Sequence, residues 1–197
     1  MIRELIVSDA GSTDATLAIA DGLGAHVVTG VPSRGGQIGR GVAAAQADWV
    51  LILHADTELD PGWTEAVGHH LLQQDRAGYF RLRFRATGLA PHIVAGWANL
   101  RSRLVGLPYG DQGLLIHRDL LAIIGGVPDL PLMEDVALAR KLRGKLVMLG
   151  ATAATSAARY QADGWIRRSL RNGLTLLRFL MGTPPERLRA TYSKTRN

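Results

Sequence analysis

Not one cysteine occurs in these 197 residues, and that absence removes disulfides, thiolate nucleophiles and cysteine-ligated zinc from consideration. Aromatic residues are sparse at 6%, and no apolar run approaches the roughly eighteen residues a spanning helix needs. Met1-Ile2-Arg3-Glu4 leads straight into a strand-like run, without the apolar stretch or cleavage site of a signal peptide. A cytoplasmic location is the expectation, with contact at the inner face of the membrane left open. Acidic residues are outnumbered: 17 Asp and Glu face 23 Lys and Arg, a formal net charge of +6. The imbalance implies an anionic partner such as phosphate, nucleic acid or an acidic membrane. Much of the charge is late, between Arg159 and Arg196, but no aromatic-basic recognition pattern accompanies it, so no nucleic-acid role is expected.

What is present suits one α/β domain. The run Leu5-Ile6-Val7 ends in the polar stretch Ser8 to Asp14, after which Leu17, Ala20 and Leu23 recur at helical spacing. His26 to Val28 reads as a second strand and residues 36–47 as a helix of small residues. Trp49 to Leu53 is apolar on both faces, the pattern of a parallel strand covered by helices from either side. Pro61 suits the first turn of a helix carrying Trp63, Val67 and Leu71. Over residues 79–87, Phe80, Leu82 and Phe84 alternate with Tyr79, Arg81, Arg83 and Arg85, so antiparallel mixing of the sheet is expected from there. A helix after Pro91, a strand over 113–117, a helix over about 133–143, a strand over 145–149 and two basic helices near 163–181 and 184–193 complete the pattern. The predicted architecture is Rossmann-like: a mixed, mostly parallel sheet, helices on both faces, and basic C-terminal helices. One domain over 1–197 is expected, with a nucleotide-binding half (1–76), an acceptor or catalytic half (77–160) and C-terminal helices (161–197).

In such sheets ligands bind beyond the carboxyl ends of the strands, where both Asp9 and Asp56 fall. Asp9 could equally cap the following helix, and Ser12, Thr13 and Asp14 read as capping residues. Asp56 with Mg2+ or Mn2+ can bridge to a diphosphate, since hard cations share oxygen ligands between protein and phosphate. His54, two residues earlier, is expected on the same strand face, reaching the metal or a ribose hydroxyl, or acting as a satisfied polar group. The GGQIGRG segment lacks the Lys-Ser/Thr of a phosphate loop. Glu134 and Asp135 fall in the first turn of a helix, whose dipole favours ionised carboxylates. Adjacent helical residues diverge by about 100°, so the pair cannot address one atom, which disfavours a hydrolase built on two facing carboxylates.

The run SDAGSTDAT resembles the DDGSTD loop of family-two glycosyltransferases with the GT-A fold, and LILHADTELDPGW resembles the strand bearing their DxD motif. More narrowly, HAD in place of DAD, LPYGDQG at 107–113 and LPLMEDVALARKLR at 130–143 resemble one bacterial subfamily of small soluble members. The resemblance runs through nearly the whole chain. It implies transfer of a sugar from a nucleotide-diphosphate sugar, UDP-linked by default, to an acceptor hydroxyl that a lipid carrier could bear. It further implies inversion and a Mn2+ or Mg2+ cofactor. By its implication Asp9 contacts the base, Arg34 and Gln37 line the donor site near the diphosphate, and Asp56 holds the metal with His54 in place of the first carboxylate. Asp111 and Gln112 would face the donor sugar or acceptor, Asp135 would be the general base, and Glu134 would orient an acceptor hydroxyl.

Two departures from the family pattern carry their own expectations. The strand and helix that usually precede the DDGSTD loop are not seen ahead of Asp9, so a gap in the sheet, with strand exchange in a homo-oligomer, is anticipated. SAARY at 156–160 replaces the QxxRW motif of processive relatives, which argues against a polymerising synthase. Competing readings are a noncatalytic, truncated nucleotide-binding or membrane-associated module, and a sugar nucleotidyltransferase, which would need a glycine-rich basic loop not visible here. The segment GWIRRSLRNGLTLLRFLMG is either an interfacial helix drawn to anionic lipid or, the favoured reading, a helix packed on the domain's own core with its arginines in water.

Overall fold

A computed structural model describes residues 2–194, so Arg196 of the basic C-terminal group lies outside the described residues. The first half alternates as expected: β1 (Ile6–Asp9), α1 (Thr16–Gly22), β2 (His26–Thr29), α2 (Arg34–Ala44) and β3 (Trp49–Ile52). The short strand β4 (Thr57–Leu59) was hidden in a polar stretch, and α3 (Trp63–His70) follows Pro61. Then come β5 (Ala77–Phe84), α4 (Leu89–Val105), a 3-10 turn at Gly110–Gln112, and β6 (Leu114–His117). The last part holds α5 (Arg118–Ile123), α6 (Glu134–Lys141), β7 (Leu146–Thr155), α7 (Ala158–Asp163), α8 (Trp165–Leu180) and α9 (Pro185–Lys194). Sequence periodicity did not announce α5 and α7, each a helix of 6 residues, too short to display a full apolar stripe.

The strands form two sheets. β1 and β2 pair in parallel, while β3-β6-β5-β7-β4 form a five-stranded mixed sheet in which only β5 and β7 run parallel. Mixing therefore begins at β3, earlier than the alternation at 79–87 suggested. β3 is an edge strand antiparallel to β6 rather than a central parallel one. Its apolar character is used sideways, with Trp49 edge-on to His70 and to His117 at centroid distances of 5.7 and 5.3 Å. Within the described residues β1 and β3 each pair on one side only, so the layer is divided between them.

The core lies on both faces of the larger sheet. Phe80, Leu115 and Ala153 meet Val67 of α3 on one side, and Ile116 meets Leu120 of α5, Leu138 of α6 and Leu142 just after it on the other. Each fully buried side chain of this size contributes about 1.5–3 kcal/mol, which fixes β5, β6 and α6 as a rigid frame.

The C-terminal helix departs from the favoured reading. Trp165, Leu176 and Phe179 do pack inward, but so do the polar residues: Arg168 and Thr175 are buried. Arg168 donates to Asp163 and to the Tyr192 hydroxyl, both at 2.6 Å, and Arg171 also donates to Asp163. The long apolar stripe of α8 faces outward instead. Ionic pairing of Arg168 with Asp163, invisible in the periodicity, accompanies this rotation of the helix.

Candidate functional site

Two glycine-rich junctions bring distant residues together. At the first, α2 starts under a Ser33 cap whose hydroxyl accepts from Gly36 N at 3.2 Å and donates to Asp129 at 2.7 Å. Gly35 N donates to Leu130 O at 3.0 Å, and a Cβ on Gly35 would lie 2.0 Å from the Pro128 carbonyl oxygen. Only glycine lets the helix approach this loop so closely. Arg34 is thereby carried to Glu134, with Nε 3.2 Å from Oε1.

Met133 precedes α6 in the left-handed region, at φ 65, a costly backbone for a non-glycine residue. The turn points Glu134 inward, where 1% of its side chain is exposed. Neither carboxylate oxygen receives an aligned hydrogen bond from the described residues. Burial, then the charge of Asp135, pushes its pKa up to about 7 despite Arg34. Asp135 is only half-buried; its Oδ2 accepts from Gly110 N at 2.9 Å and its Oδ1 from Val136 N at 2.7 Å.

The second junction is the LPYGDQG loop. The His54 ring lies against Gly110, where a Cβ would sit 2.3 Å from Nε2, and its Nδ1 lies 3.2 Å from Asp111 Oδ1. Burial disfavours the imidazolium, yet the hydrogen bond and charge of Asp111 outweigh it and raise the His54 pKa. Asp111 moves the opposite way, lowered by His54, Arg34 and Arg159 against the cost of burial. Arg34, His54, Gly110, Asp111, Glu134 and Asp135 thus form one charged cluster. Four of them border or reach an apolar pocket that also includes Ile38 and Ile52.

Gln112 does not share that cavity. It is fully buried, accepts from Ser102 at 2.6 Å and from Tyr109 N at 3.3 Å, and donates to Phe80 O at 3.1 Å. Its amide fastens the loop to α4 and β5, leaving no free face for a sugar, contrary to the sequence expectation. Arg101, unmarked by sequence reasoning, braces the same loop, its guanidinium 3.6 Å from the Tyr109 ring centroid and its Nε donating to Leu107 O.

Asp9, buried at the end of β1, accepts from Gly11 N at 2.7 Å, Ser12 N at 2.9 Å and the Ser12 hydroxyl at 2.5 Å. These bonds, led by the Ser12 hydroxyl, lower its pKa to about 2. It shapes its own loop rather than capping α1, which Asp14 serves by accepting from Thr16 N. Gln37 ties α2 to that strand end by donating to Ser8 O at 3.3 Å.

The expected common strand face of His54 and Asp56 is not realised. β3 ends at Ile52, and Thr57 N bonds to His54 O at 3.0 Å, so the two residues occupy a tight turn. Asp56 is exposed, and its carboxylate makes no hydrogen bond among the described residues; only its backbone oxygen is engaged, by Ser156 and Arg85.

No three His, Asp or Glu side chains among the described residues form a metal cage. Asp56 and the 40% exposed Asp111 are hard oxygen donors, which fits Mn2+ or Mg2+ taking its remaining ligands from water and phosphate. His54 has its Nδ1 on Asp111 and its Nε2 against Gly110, where an added Cβ would sit 2.3 Å away.

Residues 2–101 match the family described as Glycosyl transferase family 2, a range that includes Asp9, Arg34, Gln37, His54 and Asp56. No curated protein matches the sequence at a significant level. Among solved structures, the chain is similar to glucosyl-3-phosphoglycerate synthase from Mycobacterium tuberculosis, solved with Mn2+, UDP-glucose and phosphoglyceric acid. The identity is 22%, over 79% of this chain and 59% of that one, at a TM-score of 0.52. It is also similar to residues 1–349 of S. aureus TarS, with 15% identity over 78% of this chain and 51% of that one, at a TM-score of 0.59. The chain thus spans between half and three-fifths of these neighbours, and they share its mixed α/β fold. With half of its length matched and the fold in common, the chain belongs to glycosyl transferase family 2.

Proposed function

We propose that this protein transfers a sugar from a nucleotide-diphosphate sugar, UDP-linked, to an acceptor hydroxyl with inversion at the anomeric carbon. The observation that carries the reading is the charged cluster of Arg34, Asp111 and the Glu134-Asp135 pair, the last two lining an apolar pocket, in a family-two chain. In the reaction, the acceptor oxygen forms a bond to the anomeric carbon while the bond to the diphosphate oxygen breaks. The diphosphate leaves with the electron pair, and the acceptor proton passes to Asp135. A positioned base of this kind contributes roughly 10² to 10⁴ in rate.

Asp135 is the more accessible member of the pair, and two backbone N–H groups fix its orientation. Arg34, held by Glu134, presents its guanidinium to the diphosphate, and Asp111 faces the donor sugar or acceptor. Asp9, with three of its roughly four acceptor positions filled by its own loop, keeps one for an N–H of the base. Gln37 steadies that strand end. Asp56 and Asp111 would hold a divalent cation, whose charge would offset that of the leaving diphosphate.

Thermal-shift titration with UDP, with and without Mn2+, followed by a UDP-release assay over a panel of UDP-sugars, tests the reading. UDP is expected to raise the melting temperature, more so with Mn2+. If neither nucleotide nor metal shifts melting, the donor site is absent and the noncatalytic reading takes its place.

A further inference from the structure

We infer that the outer face of α4 and α8 docks this protein onto an anionic lipid bilayer. The inference goes beyond the transfer reaction and does not rest on it. α4 and α8 pack against each other, and each carries an apolar stripe that nothing among the described residues covers. On α4 the stripe is Leu89, Ile93, Trp97, Leu100 and Leu104; all are exposed, Trp97 at 68%. On α8 it is Ile166, Leu170, Leu174, Leu177 and Met181, again all exposed, Ile166 at 78%. Both stripes follow the same spacing, i, i+4, i+8, i+11 and i+15, which gathers five side chains on one side of a helix.

Neither helix needs its stripe to stay in place. α4 is held by Ala95, Ala98 and Ser102 on its inner side, and α8 by the buried Arg168 and Thr175 with Trp165 and Phe179. A helix that turns arginine inward and leucine outward inverts the arrangement of a water-facing helix. Two adjoining helices that both turn such a stripe to solvent present the kind of apolar surface that marks an interaction site.

Charge selects the occupant. Neither helix contains an aspartate or glutamate, and Arg103, Arg167 and Arg178 are exposed along the patch. A second copy of the same face would set these guanidinium groups against their own kind. An acidic bilayer accepts both features at once, with apolar side chains entering the acyl boundary and arginines reaching lipid phosphates. Trp97 suits the interface between the two media. No helix among the described residues is long and apolar enough to cross a membrane, so the contact lies in the plane of the surface. The inner sides of the same helices hold the catalytic loop, through Asn99 and Ser102 to Gln112 and through Leu176 beside Leu107. Docking would therefore bring the cleft to within about one helix diameter of the lipid, ~10 Å.

The test is co-sedimentation of the full chain with vesicles of phosphatidylcholine alone, or of phosphatidylcholine with about one-third phosphatidylglycerol. Pelleting is expected to be at least about tenfold greater with the anionic vesicles and to fall several-fold as salt rises to about 0.5 M. The double variant Trp97→Ser with Leu170→Ser should lose that binding at an unchanged melting temperature, both positions being exposed. Arg167→Glu with Arg178→Glu should lose it while keeping every apolar side chain. No pelleting with anionic vesicles, or equal pelleting with neutral ones, overturns the proposal. So does a stable dimer in analytical ultracentrifugation that the Trp97 and Leu170 substitutions dissociate, because a second copy would then own the face.

Discussion

Arg34 Nε lies 3.2 Å from Oε1 of Glu134, a carboxylate with 1% of its side chain exposed, and neither of its oxygens receives an aligned hydrogen bond from the described residues. A buried charge with so little support costs stability, because removal from water is only partly offset by one ion pair. The arrangement makes sense at a site that holds a cationic side chain ready for an anionic ligand.

The pH consequence can be measured. Burial and Asp135 raise the Glu134 pKa from 4.5 to about 7, so between those values the folded chain keeps a proton that the unfolded chain has released. Stability must therefore fall as pH rises through that window, with the full penalty present above about 7. Glu134→Gln, which removes the titration, is expected to flatten the curve and to be more stable than the natural chain at pH 8 by about 2 kcal/mol. Urea unfolding from pH 5 to 8 checks it. A Gln variant that is less stable at pH 8, or that keeps the slope, would show that Arg34 holds Glu134 ionised throughout.

Asp135→Asn keeps the shape and the acceptor for Gly110 N but cannot take a proton. Its kcat is expected to fall by roughly 10² to 10⁴, with donor binding unchanged in thermal shift. A loss of UDP binding instead would place Asp135 among the donor contacts.

Much of the fold could be read from the chain because burial is written in periodicity. Phe80, Leu82 and Phe84 alternate and lie in β5 as expected, and Val67 faces the core from α3. Pairing partners are not written that way. Nothing in Trp49 to Ile52 distinguishes an edge strand from a central one, and α8 carries a stripe that periodicity assigns to the core but that faces outward while Arg168 pairs with Asp163. In the site, residues that touch by charge were legible as types: Arg34, Asp111, Glu134 and Asp135. Gln112 was misread because an amide beside a charged residue looks the same whether it meets a ligand or is sealed under a loop. The glycines at 35 and 110 sit in stretches the sequence marks, GGQIGRG and LPYGDQG, but the partner each approaches appears only in three dimensions.

Asp56 offers an exposed carboxylate without a hydrogen bond among the described residues, so its removal should leave the fold intact. Asp56→Ala is expected to melt within about 1 °C of the natural chain, as exposed substitutions do, while the Mn2+-dependent part of the UDP-induced shift disappears. Retention of that part would move the cation onto Asp111.

These two glycines separate packing from chemistry. A Cβ on Gly35 would meet backbone atoms, the Pro128 carbonyl at 2.0 Å and Leu130 N at 2.6 Å, whereas one on Gly110 would meet the tip of the His54 side chain at 2.3 Å. Backbone in a loop tied to Ser33 and Gly35 cannot step aside without breaking those hydrogen bonds, while an imidazole can rotate. Gly35→Ala should therefore cost about 1–3 kcal/mol through overpacking and weaken donor binding by drawing Arg34 from Glu134. Gly110→Ala should cost less stability but separate His54 from Asp111, lowering turnover more than melting temperature. Parallel melting and turnover measurements on the two variants decide it, and a Gly35→Ala chain as stable as the natural one would mean that the α2 contact with residues 128–130 is looser than the geometry describes.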